Sequence, residues 1–150
     1  VVARKVLDDL ITVLRKITRP QIYMVQNVGL ISDVIWNLWC RTRDDQLLVH
    51  SDAVVKNGAR VAKQYRAGKP MAELAAGDGA WYRGKQQDAV KHWLASAEAG
   101  DERGMRYNQA QALHRLDQTG QMPAGYVGPA WQQLVEGLGI ARPVIWSMTV

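Results

Sequence analysis

The sequence predicts an all-α protein: a compact bundle of about five to seven helices joined by short loops. Apolar residues recur three and four positions apart through most of the chain, which is the period of a helix with one buried face. Glycine and proline stand between these stretches, where helices begin and end. No stretch shows a convincing strand pattern, and 150 residues suffice for one domain to bury a core. We therefore expect a single helical domain over residues 1–150.

The first helix is predicted over residues 2–17. Pro20 should prevent it from continuing, because the residue before a proline avoids helical backbone angles. One side of the helix carries an apolar stripe that should face the core, formed by Val6, Leu10, Val13, Leu14 and Ile17.

Residues 21–41 predict either one kinked helix or two helices. Gly29 should bend or end the first part, and Ser32 with Asp33 should open the second. Residues 22–25 also suit a strand. The second part should direct Ile35, Leu38 and Trp39 inward.

After a polar loop, residues 47–50 are either extended or lead into the most one-sided helix of the chain, at 51–72. Ser51 should cap its start, and Gly68 followed by Pro70 should end it. Its apolar side should be formed by Val54, Val55, Gly58, Val61, Ala62 and Tyr65.

Nearly all of the net charge of +5 is concentrated in that same stretch. Residues 51–72 carry five basic side chains and one acidic side chain, whereas the rest of the chain is almost balanced. The side opposite the apolar residues holds Lys56, Arg60, Lys63 and Arg66, and Lys69 follows.

Pro70 is predicted to begin a further helix, through Met71 and Leu74. The triplet Gly77-Asp78-Gly79 should break this helix, and Gly84 should close the turn that follows.

Two helices should then form a pair, at residues 87–99 and 102–116. Gly100 is expected just after the end of the first helix, and Asp101 is expected to cap the second. Trp93 and Leu113 lie at core spacing on this pair.

The last part of the chain predicts a glycine- and proline-rich loop at 119–128 and one more helix. Pro129 should begin that helix and Gly139 should end it. Residues 142–150 form a tail that suits extended backbone.

No group of residues predicts catalysis, a metal site or a cofactor. The three histidines are far apart in the sequence, Cys40 is alone, and neither a Gly-x-Ser-x-Gly elbow nor a Gly-Lys-Ser/Thr phosphate loop occurs. We therefore expect a protein that is not an enzyme. A single cysteine favours a reducing compartment such as the cytoplasm. The weakly charged run at 20–40 contains too many polar residues for a membrane span, so no membrane partner is expected.

The basic side of the 51–72 helix predicts contact with a phosphate backbone. Cations at i, i+4 and i+7 are separated by ~6 and ~4.5 Å along a helix axis, and the phosphates of a single strand can follow that spacing. Such contacts give affinity without sequence choice. A solvated surface or an acidic protein partner is the alternative interpretation. The residues predicted to bind nucleic acid are Lys56, Arg60, Lys63, Arg66 and Lys69, with Arg15, Lys16 and Arg19 extending the track.

One stretch, residues 84–113, resembles a Sel1-like repeat, a relative of the tetratricopeptide repeat. The matching residues are Gly84, Asp88, Ala89 and Trp93, the string Ala-Glu-Ala-Gly-Asp at 97–101 and the string Tyr-Asn-Gln-Ala at 107–110. This resemblance implies an antiparallel helix pair that binds other proteins. It covers about thirty residues, and Gly104 stands where the family prefers alanine.

The whole chain is similar in architecture to the small helical subunit of CRISPR effector complexes. The likeness rests on length, helical content and the basic residues from Lys56 to Lys69, with no sequence motif. It implies a role in antiviral defence, as a subunit that contacts RNA or single-stranded DNA beside other protein subunits, including copies of itself. We therefore expect a non-catalytic, nucleic-acid-binding subunit of a ribonucleoprotein. The alternative is a helical protein-interaction module.

Overall fold

The computed structural model describes residues 2–16, 19 and 24–139, with side chains from residue 4 onward. The prediction of an all-α fold is confirmed: these residues form seven α-helices and one short 3-10 turn at Arg66–Gly68, without a strand. The helices are α1 (Val2–Lys16), α2 (Met24–Thr42), α3 (Gln46–Gln64), α4 (Lys69–Tyr82), α5 (Gln86–Glu102), α6 (Arg106–Gln118) and α7 (Trp131–Gly137).

Helices α3, α4, α5 and α6 pack one against the next in chain order. Helix α2 lies against both α3 and α4, α1 packs on α3, and α7 packs on α6. The centre of the core is formed where α2, α4, α5 and α6 meet, and its largest fully buried residues include Trp36, Leu74, Trp93, Leu113 and Leu116.

The predicted inner face of α1 is only partly right. Leu14 is buried, but Val6, Leu10 and Val13 are 52%, 42% and 57% exposed. The side that packs against the core carries Leu7 and Ile11 instead. Both sets of residues are apolar and have helical spacing, so the position of α3 decides which set is buried. Ile17 and the predicted tail at 142–150 lie outside the described residues.

Helix α2 is continuous through Gly29, so the predicted bend or break there is wrong. A side chain at Gly29 would place its Cβ 3.3 Å from Met71 Cγ, which shows that this glycine permits close packing of α2. Ser32 and Asp33 are buried inside the same helix rather than opening a new one. Val25 is helical as well, and the rest of the possible strand at 22–25 includes residues outside the described part.

The basic helix is displaced from its predicted bounds. Helix α3 begins at Gln46, where the backbone N–H donates to Asp44 Oδ1 over 2.9 Å. Ser51 is therefore buried within the helix and is not its cap. The helix ends at Gln64, because Tyr65 adopts extended backbone with φ −127° and ψ 115°.

The triplet Gly77-Asp78-Gly79 lies inside α4, so the predicted break is wrong here too. The indole of Trp93 packs directly on Gly77, where any Cβ would overlap the ring. A sequence that would otherwise suit a turn is held helical by the close approach of α5.

The helix pair predicted from 87 to 116 exists, but its turn is shifted. Helix α5 includes Gly100 and Asp101, and the connection is Arg103-Gly104-Met105. Gly104 has φ +64° and Met105 N–H donates to Gly100 O over 2.8 Å, which is a Schellman C-cap. Gly100 serves packing instead, because a Cβ there would lie 2.9 Å from the Gln109 nitrogen.

The connection between α4 and α5 has the same geometry. Gly84 has φ +72° and Lys85 N–H donates to Ala80 O over 3.0 Å. The arginine before each glycine, Arg83 or Arg103, donates to a carbonyl oxygen four residues earlier. The prediction that Gly84 closes a turn is therefore confirmed, as is the loop after Thr119. The last helix exists ahead of Gly139, but it begins at Trp131 and not at Pro129.

The core contains a buried ion cluster, which we define as Asp33, Asp78 and Arg115. Arg115 Nη2 lies 2.6 Å from Asp33 Oδ1, and Arg115 Nε lies 3.2 Å from Asp78 Oδ1. These three side chains are 0–2% exposed and come from α2, α4 and α6. The cluster thus joins three helices at a point that water does not reach.

Neighbouring side chains complete the hydrogen bonds of both carboxylates. Trp93 Nε1 donates to Asp78 Oδ1 over 2.9 Å, and Gln111 Nε2 donates to Asp33 Oδ2 over 2.6 Å. The guanidinium carbon of Arg115 lies 4.6 Å from the centre of the Trp36 ring. Two acids share one base, and burial raises the pKa of Asp78 to about 6 despite the opposing attraction of Arg115.

Removing the base of this cluster should leave two buried carboxylates without a counter-charge. We expect Arg115→Met to lower the free energy of unfolding by about 3–5 kcal/mol, measured by urea denaturation at pH 7. The matched control is Arg106→Met at an exposed position of the same helix, with an expected change within about 0.5 kcal/mol. Equal stability of the two variants would contradict a structural role for the cluster.

The raised pKa of Asp78 makes its contribution to stability depend on pH. The folded state binds the proton more tightly than the unfolded state, so this contribution is present below about pH 4 and is lost as pH rises through 6. Compared with Asp78→Asn, the wild type should therefore lose about 1.4 kcal/mol of unfolding free energy per pH unit between pH 4 and 6. Urea titrations across this range measure the difference, with Asp88→Asn as a control at an exposed site. A pH-independent difference would show that Asp78 is ionised throughout.

Candidate nucleic-acid interface

The eight predicted binding residues lie on five separate parts of the chain. Lys56, Arg60 and Lys63 are on α3, Arg66 is in the 3-10 turn, and Lys69 is the first residue of α4. Arg15 and Lys16 form the end of α1, and Arg19 is an exposed residue beyond it. The prediction of five cations in a row on one helix is therefore wrong, because the extended backbone at Tyr65 ends α3 before Arg66.

Three of the eight residues come together at one groove between α1 and α3, which we call the basic groove. Arg15 lines it from α1, and Lys56 and Arg60 line it from α3, one helical turn apart. The groove has a volume of 380 Å³. Its remaining lining residues are Leu14, Val49, Asp52, Ala53 and Asn57.

Local packing positions these cations. Leu14 is buried beneath the groove, so the next residue, Arg15, is carried to its edge. On α3, Asn57 is 5% exposed and its amide donates to Ala53 O over 2.9 Å. Lys56 and Arg60 therefore lie on either side of Asn57, a side chain that is buried and held by a hydrogen bond.

The groove has an excess of positive charge. Its one acidic residue, Asp52, forms an ion pair with Arg83, which directly follows α4 and also donates to Gly79 O over 2.6 Å. Neither Arg15 nor Lys56 has an ion pair with any residue that the structure describes. A groove with three cations and an acid that is already paired favours an anionic ligand.

The other predicted residues do not line this groove. Lys16, Lys63, Arg66 and Lys69 are exposed elsewhere on the surface. Sequence reasoning missed the contribution of Val49, although the spacing 49, 53, 56, 60 places these residues on one side of a helix that starts early enough. The early start was the missing information, because residues 47–50 alone also suited extended backbone.

Tyr65 and Trp81, two aromatic residues within or after the basic stretch, have different positions in the fold. Tyr65 is partly buried and accepts a hydrogen bond from Gln64 Nε2 over 3.0 Å. Trp81 packs against Trp93, with 5.5 Å between ring centres, and faces a second cavity. Neither residue lines the basic groove.

Within the described part of the chain, no group of three or more histidine, cysteine, aspartate or glutamate residues is arranged to hold a metal ion. None of the helices found there has the length and apolar character needed to cross a bilayer. The chain matches no family model, no curated protein and no solved structure.

Proposed function

We propose that this domain is a non-catalytic subunit that binds the phosphate backbone of RNA or single-stranded DNA, without sequence selection, through the basic groove. The observation that carries the proposal is that Arg15 and the pair Lys56 and Arg60 converge on one groove from two helices. As its setting we propose an assembly of the CRISPR effector type, in which such a subunit lies along a strand beside other proteins.

The number of cations in the groove determines how steeply the affinity for a strand should fall with salt concentration. Three phosphate contacts on a single strand give a slope of about −2 for the logarithm of affinity against the logarithm of salt concentration. Affinity should then fall roughly 20-fold between 50 and 200 mM salt. Binding through only three phosphate contacts suits a subunit that acts inside a larger complex.

Reversing two groove charges should abolish this binding. The variant Arg15→Glu with Lys56→Glu changes residues without ion pairs in the described structure, so the fold should persist. We expect affinity for a labelled, mixed-sequence 20-nucleotide RNA or DNA to drop at least about tenfold in fluorescence anisotropy at 50 mM salt. Circular dichroism checks that the helices are intact.

The matched control is Lys85→Glu with Lys91→Glu, an equal change of net charge at exposed residues beside and on α5. A second comparison, Lys63→Glu with Lys69→Glu, reverses predicted residues outside the groove and should weaken binding less than the groove variant. If all three double variants lose affinity equally, net charge and not the groove governs binding.

The second candidate function is a protein-interaction module. The predicted contact surface on the α5–α6 pair lacks its aromatic residue, because Trp93 is 0% exposed and lies within the core. A different surface favours protein contact: Val6, Leu10 and Val13 form an exposed seam with the four-and-three spacing of a coiled coil. Beside the seam, Leu10 and Val13 also line an apolar groove of 340 Å³ between α1 and α2.

The exposed seam and the apolar groove lie together on one surface. We therefore propose that a second copy of this chain binds this surface. Sedimentation velocity over a hundredfold range of concentration should show a dimer that is lost in Leu10→Gln with Val13→Gln. The control Val127→Gln changes a residue that is 98% exposed and should dimerise like the wild type. A wild-type protein that stays monomeric throughout contradicts this self-association.

A further inference from the structure

A cleft of 590 Å³ lies away from the basic groove residues, and we call it the aromatic cleft. Its volume is in the range of sites for small organic molecules. Four of the six tryptophans of the protein line it, together with one cation and one acid: Trp36, Trp39, Trp81, Trp131, Arg43 and Asp117.

The tryptophan rings are held by their neighbours. Trp36 and Trp39 have 6.5 Å between ring centres, and Trp131 meets His114 edge to face at 4.8 Å. Trp39, Trp81 and Trp131 each remain partly exposed. The cleft therefore offers rigid aromatic surface to a planar ligand, at little cost in side-chain ordering.

One wall of the cleft carries a hydrogen-bond acceptor that is fixed in position. Trp131 Nε1 donates to Asp117 Oδ2 over 2.8 Å. The other carboxylate oxygen, Oδ1, has no hydrogen-bond partner among the described residues. A ligand that presents N–H donors at its edge would complete this carboxylate.

The cleft lacks the features of a reactive site. Burial raises the pKa of the Cys40 thiol, so the nucleophilic thiolate is disfavoured. Burial, together with Arg115, lowers the pKa of His114 to about 3, so this imidazole is neutral at physiological pH. Arg43 is thus the cation of the cleft, and the chemistry favours binding over catalysis.

Arg43 is held in an unusual conformation at the edge of the cleft. Its φ is +50°, and no other non-glycine residue in the described part of the chain has positive φ. The guanidinium carbon lies 4.0 Å from the centre of the Trp39 ring. Strained backbone of this kind concentrates at ligand sites, and glycine would adopt it without strain.

We propose that the aromatic cleft binds one nucleobase of a nucleotide, stacked on its indole walls, with the donor edge of the base on Asp117 and the phosphate at Arg43. Aromatic stacking and an arginine are the groups that bind single-stranded nucleic acid. An organic cation fits less well, because Arg43 already places a positive charge on the Trp39 ring. Guanine should bind best, since its adjacent N1–H and N2–H₂ donors can reach Oδ1 and the second lone pair of Oδ2.

The inference rests on the proposed function for its biological source, an RNA or DNA strand, but the cleft is tested with mononucleotides that are too short to span the groove cations. Isothermal titration calorimetry compares guanosine 5′-monophosphate with uridine 5′-monophosphate and ribose 5-phosphate. We expect guanosine 5′-monophosphate to bind most tightly and ribose 5-phosphate to show no binding.

Three variants locate the site. Asp117→Asn should remove the preference for guanine over uracil. Arg43→Gly should lower the affinity for guanosine 5′-monophosphate about tenfold and leave the affinity for guanosine unchanged, because only the first ligand has a phosphate. The same variant should not lower stability to urea, because glycine relieves the positive φ. Trp131→Leu should lower the affinity for both guanosine 5′-monophosphate and guanosine. The groove variant Arg15→Glu with Lys56→Glu should bind the mononucleotide like the wild type.

The outcomes separate the two proposals. Absence of mononucleotide binding at millimolar concentration, or equal binding of ribose 5-phosphate, overturns the cleft proposal, even if the 20-nucleotide strand still binds the groove. Mononucleotide binding that persists when no strand binds at any salt concentration upholds the cleft and removes the proposed backbone-binding function.

Discussion

The arrangement of the core depends on the buried ion cluster of Arg115 with Asp33 and Asp78. A guanidinium without solvent is tolerated only when carboxylates and hydrogen bonds replace the water. Because the two acids are on α2 and α4 and the base is on α6, these three helices must meet in one register. The pairs join residues 82 and 37 positions apart in the sequence, so the cluster forms only when the tertiary fold forms.

Glycines supply the space that this register requires. Gly77 admits the Trp93 indole, whose nitrogen donates to Asp78, and Gly100 admits the backbone of α6. The same residue type ends α4 and α5, where Gly84 and Gly104 have positive φ. Glycine therefore has two separate roles here, close packing inside helices and left-handed backbone after them, and the two roles alternate along the chain.

The two proposed sites are both built at the edge of this rigid core. The basic groove uses cations from α1 and α3 around a buried asparagine, and the aromatic cleft uses tryptophans whose neighbours belong to the core cluster. Cations on fixed helices and immobilised indoles are suited to a flexible strand, because the ligand alone must become ordered on binding. Under the two proposals the sites contribute different terms, since the groove would supply salt-dependent affinity and the cleft would supply stacking and base preference.

The sequence by itself determined the helical class, the Gly84 turn, the loop after Thr119 and the concentration of positive charge near α3, because each follows from local spacing or composition. It also gave Arg15, Lys56 and Arg60 as binding candidates, although not the groove that unites them. Only the tertiary structure decided which apolar side of α1 is buried, whether Gly77 and Gly100 break a helix, and that Asp78 belongs to an ion cluster. On local grounds a glycine–aspartate pair suits a helix end better than a helix interior. Packing overrides that preference here, because the Trp93 indole lies against Gly77 and the backbone of α6 lies against Gly100.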